Sequence, residues 1–238
     1  MRVLAIDTST AISAVAVTAD DVVLAEDNSA SAERHGNVVL PRVQAVLAAA
    51  SLQLAEIDLL AVGVGPGSFT GLRVGLATVK GLGFALQKPV RGVSSLEAIA
   101  CAALEHAQQA VVLIDAFKSE VYAGVFRRGA DGSVENMVPL MHASPAEAAA
   151  RVRQALEPGA VTVLCGDGAR RYEAELMPLL GLQLTLTEPA LDAPRGSWVA
   201  RLALRDLARY GASDLATLEP AYVRGSDARL PARPLAVE

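Results

Sequence analysis

The chain opens on a short apolar run, Val3 to Ile6, that stops at Asp7 and gives way to the polar turn Thr8-Ser9-Thr10. A run this short, uninterrupted and bounded by a turn predicts a strand buried on both faces. Residues 12–17 and 22–26 predict two further strands. The period then changes. Val39, Val43, Val46, Leu47 and Ala50 fall at helical spacing, which predicts a helix over residues 37–50, with Pro41 near its first turn or at a kink. A strand over residues 57–63 leads into the loop Gly65-Pro66-Gly67-Ser68-Phe69-Thr70-Gly71. A helix over residues 72–87, a strand over 90–93 and a helix over 95–107 complete the first half.

The pattern then restarts. Residues 110–115 are again an apolar run ending in aspartate, Asp115, followed by a turn over 116–119 and a strand over 120–126. A helix over 145–156, a strand over 161–165, the turn Gly166-Asp167-Gly168 and helices over 171–179 and 197–210 follow. Trp198, Leu202 and Leu207 are the expected buried stripe of the last helix. Recurrence of one order of elements at this spacing predicts duplication. The expected fold is therefore α/β and two-lobed, with a βββαβαβα unit used twice. The expected divisions are residues 1–106, 107–225 with the last helix free to pack back on the first lobe, and a loosely held tail over 226–238.

Composition narrows the function classes. Hydrophobic residues are 52% and charged residues 20% of the 238, so the chain has the means to bury a core. Aromatics are only 4%, so that core is built from Ala, Val and Leu. The net charge of −5 argues against a free-standing nucleic-acid binder, whose affinity rests on neutralising phosphates. Cys101 and Cys165 have no metal-binding or disulfide-framework spacing, which fits a reducing compartment. Asp7 interrupts the first apolar run, against a signal peptide, and no stretch of about 18 apolar residues exists. A cytoplasmic protein is expected.

Two strand-ending aspartates in facing lobes invite comparison with phosphate-binding turns. Such turns want a glycine beside the aspartate, so that backbone approaches phosphate without a Cβ in between. Ser9 and Phe117 stand there instead. Structural turns are one reading of Asp7 and Asp115; an ATPase or kinase using both is the alternative. The loop from Gly65 to Gly71 lacks the Gly-Lys-Ser/Thr ending of a P-loop. It serves either as an anion site at a helix start or as a tight turn capped by Ser68 or Thr70. His35, His106 and His142 have no ligand spacing, so no metal site is expected.

The helix over 72–87 carries two stripes. Leu72, Leu76, Val79, Gly83 and Leu86 form one. Val74, Gly75, Thr78, Leu82 and Ala85 form the other. A helix apolar nearly all round must be covered on two sides. Its own sheet takes one; either another protein or the helix over 37–50 takes the other. The expected contact set is Val39, Val43, Leu72, Gly75, Thr78, Val79 and Leu82, with Arg73 and Lys80 at the rim.

Ala5-Ile6-Asp7-Thr8-Ser9, the run from Gly65 to Gly75, Lys80-Gly81-Leu82 and Glu219-Pro220-Ala221-Tyr222-Val223-Arg224 resemble the TsaB (YeaZ) family. The resemblance runs through about residue 224. It implies an actin-like (ASKHA, ribonuclease H-like) fold and a non-catalytic, essential role in making threonylcarbamoyladenosine beside the tRNA anticodon. It also implies TsaD as catalytic partner, TsaE as an associated ATPase, homodimerisation through the same surface, and tRNA contact only through the complex. Ser95 and Ile99 stand where the catalytic relative carries its metal-binding histidines, so neither metal nor peptidase activity is expected. Asp7, Ser9, Asp115, Gly166 and Gly168 are left as a possible vestigial nucleotide site. No cofactor is implied beyond weak ATP or ADP binding within the complex.

Overall fold

The structure, a computed structural model, describes residues 1–30, 35–130, 133–181, 184–221 and 223. The proposed tail over 226–238, Tyr222 and Arg224 lie outside the described residues. Strands β1 (Arg2–Asp7), β2 (Ile12–Ala19), β3 (Val22–Ala30), β4 (Leu59–Gly63) and β5 (Val90–Val93) form one sheet in the order β3-β2-β1-β4-β5. Strands β6 (Gln109–Asp115), β7 (Val121–Arg128), β8 (Val134–Asn136), β9 (Met141–Ala143), β10 (Thr162–Cys165) and β11 (Thr185–Leu186) form a second. Its order is β11-β10-β6-β7-β8, with β9 also on β7. In each sheet the aspartate-ended strand pairs antiparallel with the next strand and parallel with the one after the first helix. The duplication read from the sequence is thus present as topology.

Among the described residues seven α-helices cover the sheets: α1 (His35–Ala49), α2 (Phe69–Leu86), α3 (Ser95–Ala103), α4 (Pro145–Ala155), α5 (Asp167–Arg171), α6 (Glu173–Leu180) and α7 (Gly196–Tyr210). Their ends follow from local chemistry. The Ser68 hydroxyl accepts from Gly71 N and starts α2, so Ser68 rather than Thr70 is the cap. Gln87 closes the same helix in the left-handed conformation. Ser144 and Glu147 form a capping box on α4. α7 has no side-chain cap of its own. Instead β3 supplies the acceptors: Glu26 Oε1 takes Ser197 N at 2.7 Å and Asn28 Oδ1 takes Gly196 N at 3.1 Å. Burial works against the Glu26 charge, but the Arg195 and Ser197 bonds outweigh it and hold the carboxyl below its ordinary range.

The layers run α1 and α2, first sheet, α7 with α3, second sheet, then α4 to α6. The last helix packs on the first sheet, against Val3, Ala5, Leu59 and Ala61. α3 is buried almost throughout. Leu96, Ile99 and Ala103 face the second sheet, and Ala98 and Cys101 face α7. Its alanines let two sheets close on one helix, which is what a core poor in aromatics requires. Arg205 of α7 bonds Glu97 of α3 at 2.7 Å and so ties the middle layer together.

Several details differ from the sequence reading: α2 starts at Phe69 rather than at 72, and α3 ends at Ala103 rather than at 107. The short strands β8, β9 and β11 carry too few residues to show a period. Gly166-Asp167-Gly168 opens a short helix and is not only a turn. Trp198 and Leu207 lie at the rim of the α7 stripe, half-buried, while Val199, Ala200, Leu202 and Ala203 are its buried centre.

Candidate functional site

Asp7 ends β1 with no exposed surface. Its Oδ1 accepts from Ser9 N at 2.8 Å and Ser9 Oγ at 2.6 Å, and its Oδ2 accepts from Ser95 Oγ at 2.7 Å. Gly65 N donates to Ser95 Oγ at 3.1 Å, Ser68 N donates to Ser9 O at 2.7 Å, and Thr8 Oγ1 donates to Gly71 O at 2.7 Å. The loop that launches α2 therefore lies directly on the β1 turn. Its glycines are needed for that closeness. A Cβ on Gly63 would strike the Asp7 carboxylate, one on Gly67 would strike Ser9 O, and one on Gly75 would strike Thr8 Oγ1. The glycine-rich run thus serves internal packing. Asp7 and Ser9, proposed from sequence as vestigial nucleotide contacts, are both buried, packed against the chain's own hydroxyls and the α2 loop. Ser95 spends its hydroxyl on Asp7.

The second turn is more open. Asp115 accepts from Phe117 N at 3.2 Å and from Tyr172 OH at 3.3 Å, and pairs with Arg171 at 2.7 Å. Asp115 N donates to Asp167 Oδ1 at 2.9 Å. Burial and the neighbouring Asp115 and Asp192 charges push the Asp167 carboxyl up to about 6, although the N–H groups of Asp115 and Gly168 pull it the other way. Gly166 and Gly168 are required for close packing. A Cβ on either would run into the β6 backbone at Leu113 to Asp115. They let α5 sit against the strand. Phe117, Lys118 and Ser119 all have left-handed backbone, with φ of 60°, 53° and 60°, and the Phe117 ring stands out in solvent.

Among the described residues no group of three or more His, Cys, Asp or Glu lies together as a metal-ion site. Burial pushes the Cys101 thiol up to about 12 and raises Cys165 as well, far from the thiolate needed for nucleophilic work.

The face expected to dock a partner needs correction. Val39, Val43, Leu72, Gly75 and Val79 are buried in their own lobe. Gly75 belongs to the sheet-facing stripe, three residues from Leu72 and four from Val79, and it meets Thr8. Thr78 and Leu82 are half-buried, and Val74 and Leu82 pack against the cluster shared with α1. So α1 covers most of the second stripe. What remains open is a third face. Phe69 is 54% exposed and Phe84 74%. Between them Arg73, Ala77 and Gly81 are exposed, and the Arg73 guanidinium lies 3.8 Å over the Phe69 ring. A shallow groove of about 380 Å³ beside this ridge, between α1 and α2, is lined by Leu40, Gln44, Leu47, Leu52 and Leu82. Leu40 is 51% exposed. Sequence reasoning missed Leu40, Phe69 and Phe84. The spacing of the two phenylalanines outside both apolar stripes was the available signal.

With this geometry in view, comparison with known proteins places the chain. The family model described as TsaD, tRNA N6-adenosine threonylcarbamoyltransferase, matches residues 28–168, more than half the chain. An uncharacterized protein of Mycobacterium tuberculosis is 37% identical over 99% of this chain and 95% of its own length. The Escherichia coli tRNA threonylcarbamoyladenosine biosynthesis protein TsaB is 39% identical over 56% of this chain and 58% of its own. The solved structure of YeaZ from Pseudomonas aeruginosa superposes with a TM-score of 0.78 at 29% identity, covering 93% of this chain and all but 1% of that one, at 99%. The chain belongs to this family, in its TsaB (YeaZ) branch. A match to an uncharacterized Mycobacterium leprae protein spans only 36% of that relative. A more distant likeness, to (R)-2-hydroxyglutaryl-CoA dehydratase component A of Acidaminococcus fermentans, has a TM-score of 0.54 at 13% identity and shows the fold alone. The two-lobed actin-like α/β fold of this TsaB-family chain is one that its relatives share.

Proposed function

We propose that this chain takes part in synthesis of threonylcarbamoyladenosine in tRNA as a non-catalytic subunit that seats a TsaD-type threonylcarbamoyltransferase. Relatives named as tRNA threonylcarbamoyladenosine biosynthesis protein TsaB support the pathway. The sealed Asp7 turn supports a non-catalytic role for this chain.

The observation that carries the docking reading is Gly81. Glycine inside a helix costs about 1 kcal/mol relative to alanine. Gly75 and Gly83 are accounted for by Thr8 and Val90, which a Cβ would strike. A Cβ on Gly81 would meet nothing within 4 Å. Its place in the fold has no internal reason, and it lies on the exposed face between Ala77 and Phe84. A glycine there lets a second backbone come close, with Phe84 and Phe69 to bury beside it. The occupant we assign is the TsaD-type subunit, with a second copy of this chain competing for the same face. An associated TsaE-type ATPase joins that assembly, and tRNA is engaged through it. The work is cytoplasmic, in agreement with the absence, among the described residues, of any helix long and apolar enough to cross a membrane.

Reconstitution tests this reading. Threonylcarbamoyl transfer to tRNA by the purified TsaD-type subunit with its ATPase should require this chain, and the chain alone should transfer nothing. Full transfer in its absence would remove the proposed role.

A further inference from the structure

After α7 the chain runs back along β5, the open edge of the first sheet. Arg91 Nη1 donates to Gly211 O at 3.2 Å, Ser213 N donates to Val90 O at 2.8 Å, and Gly92 N donates to Ser213 Oγ at 3.2 Å. Leu215 and Leu218 pack, half-buried, against the cluster that also holds Val79 and Val90. Gly92 has no room for a Cβ because the side chains of Leu218 and Val64 stand over it. Lys80 of α2 donates from Nζ to Leu218 O at 3.1 Å. Ala221 N then donates to Val64 O at 2.7 Å, and Val223 packs against the second-lobe cluster that includes Leu96 and Ala116.

We infer that residues 211–221 form a strap that belongs to the docking face and carries the effect of docking to the boundary between the lobes. This inference rests on the docking reading above. Lys80 lies three residues from Ala77 and four from Phe84, on the same side of α2. A subunit seated on that ridge meets the Lys80–Leu218 contact at once. The far end of the strap holds Val64, the residue before the loop that launches α2, and passes to Val223 on the second lobe. One segment therefore touches the docking helix at its middle, its leading loop and the opposite lobe. It is held by two half-buried leucines and a few hydrogen bonds, while most of its side chains are exposed. Such a segment opens at low free-energy cost, and a partner that contacts it changes its order.

Amide hydrogen exchange of the full chain, free and bound to the TsaD-type subunit, tests the inference. Binding should slow exchange over residues 213–221 by about tenfold or more, together with α2. In K80M, which keeps the aliphatic stem and removes the donor, the free strap should exchange faster, and binding should protect α2 without the strap. Protection of α2 with an unchanged strap in the wild-type chain overturns the inference and leaves the docking reading standing. A strap response in K80M equal to wild type overturns it too. If α2 itself gains no protection, the docking reading falls and this inference with it.

Discussion

Gly75 and Gly81 lie on one helix and are glycines for different reasons. Gly75 touches Thr8 from above, and Gly81 faces outward with open space over it. Valine at 75 should cost about 2 kcal/mol or more of stability through forced displacement of the β1 turn. Alanine at 81 should raise stability by about 0.5–1 kcal/mol through helix propensity. Urea unfolding of both variants checks the pair; equal effects would mean that the two glycines share one environment. Asp167 gives a second residue-level outcome. Its folded carboxyl titrates near 6, above the ordinary aspartate range. Between about pH 4 and 6 the folded state holds a proton that the unfolded state has lost, so stability from this group falls as pH rises through that window. Asp167→Asn keeps the acceptor for Asp115 N and has no charge to bury. It should match wild type near pH 3, below the unfolded aspartate range, and exceed it by about 1–3 kcal/mol near pH 8. A variant less stable than wild type at both pH values would contradict this account.

At the scale of elements, the join between β1 and α2 is the best-defined feature of the first lobe. Asp7 satisfies Ser9 N, Ser9 Oγ and Ser95 Oγ together. Asp7→Ala should leave these buried donors unpaired and cost about 3 kcal/mol or more. Thermal unfolding reads that loss, and an unchanged midpoint would show the turn to be looser than described. Much of this lobe was legible in the sequence. An apolar run ending in aspartate twice over gave the strands and the repeat. The cap at Ser68 was one of two readings, and the hydroxyl's acceptance from Gly71 N decides it. The phase of α2 was not legible in the same way. Glycine signals a close neighbour without saying which, and Gly75 was grouped with Val74 although the helix turns about 100° between them. Spacing from Leu72 and Val79 puts it on the sheet side. The groups that β3 lends to the start of α7 were beyond reach, because Glu26 and Ser197 come together only through the fold.

For the whole molecule, the exchange of helices matters most. The last helix of the chain lies on the first sheet, and α3 lies on the second, so neither sheet is covered on both faces by its own half of the sequence. A change in one half is therefore felt in the other, and the strap over residues 211–221 adds a further link. Arg205→Met should loosen this middle layer by about 1–2 kcal/mol, because Glu97 loses its partner while Asp206 keeps only Arg91 at 4.0 Å. Beside that bracing, the outer face of α2 carries two large exposed rings, Phe69 and Phe84. The central claim is that this face seats the TsaD-type subunit. Calorimetric titration of that subunit with Phe84→Asp and Gly81→Leu, each first shown to unfold at or near the wild-type temperature, tests it most directly. The account predicts at least about a tenfold loss of affinity for each, about 1.4 kcal/mol. Wild-type affinity in both variants would contradict it.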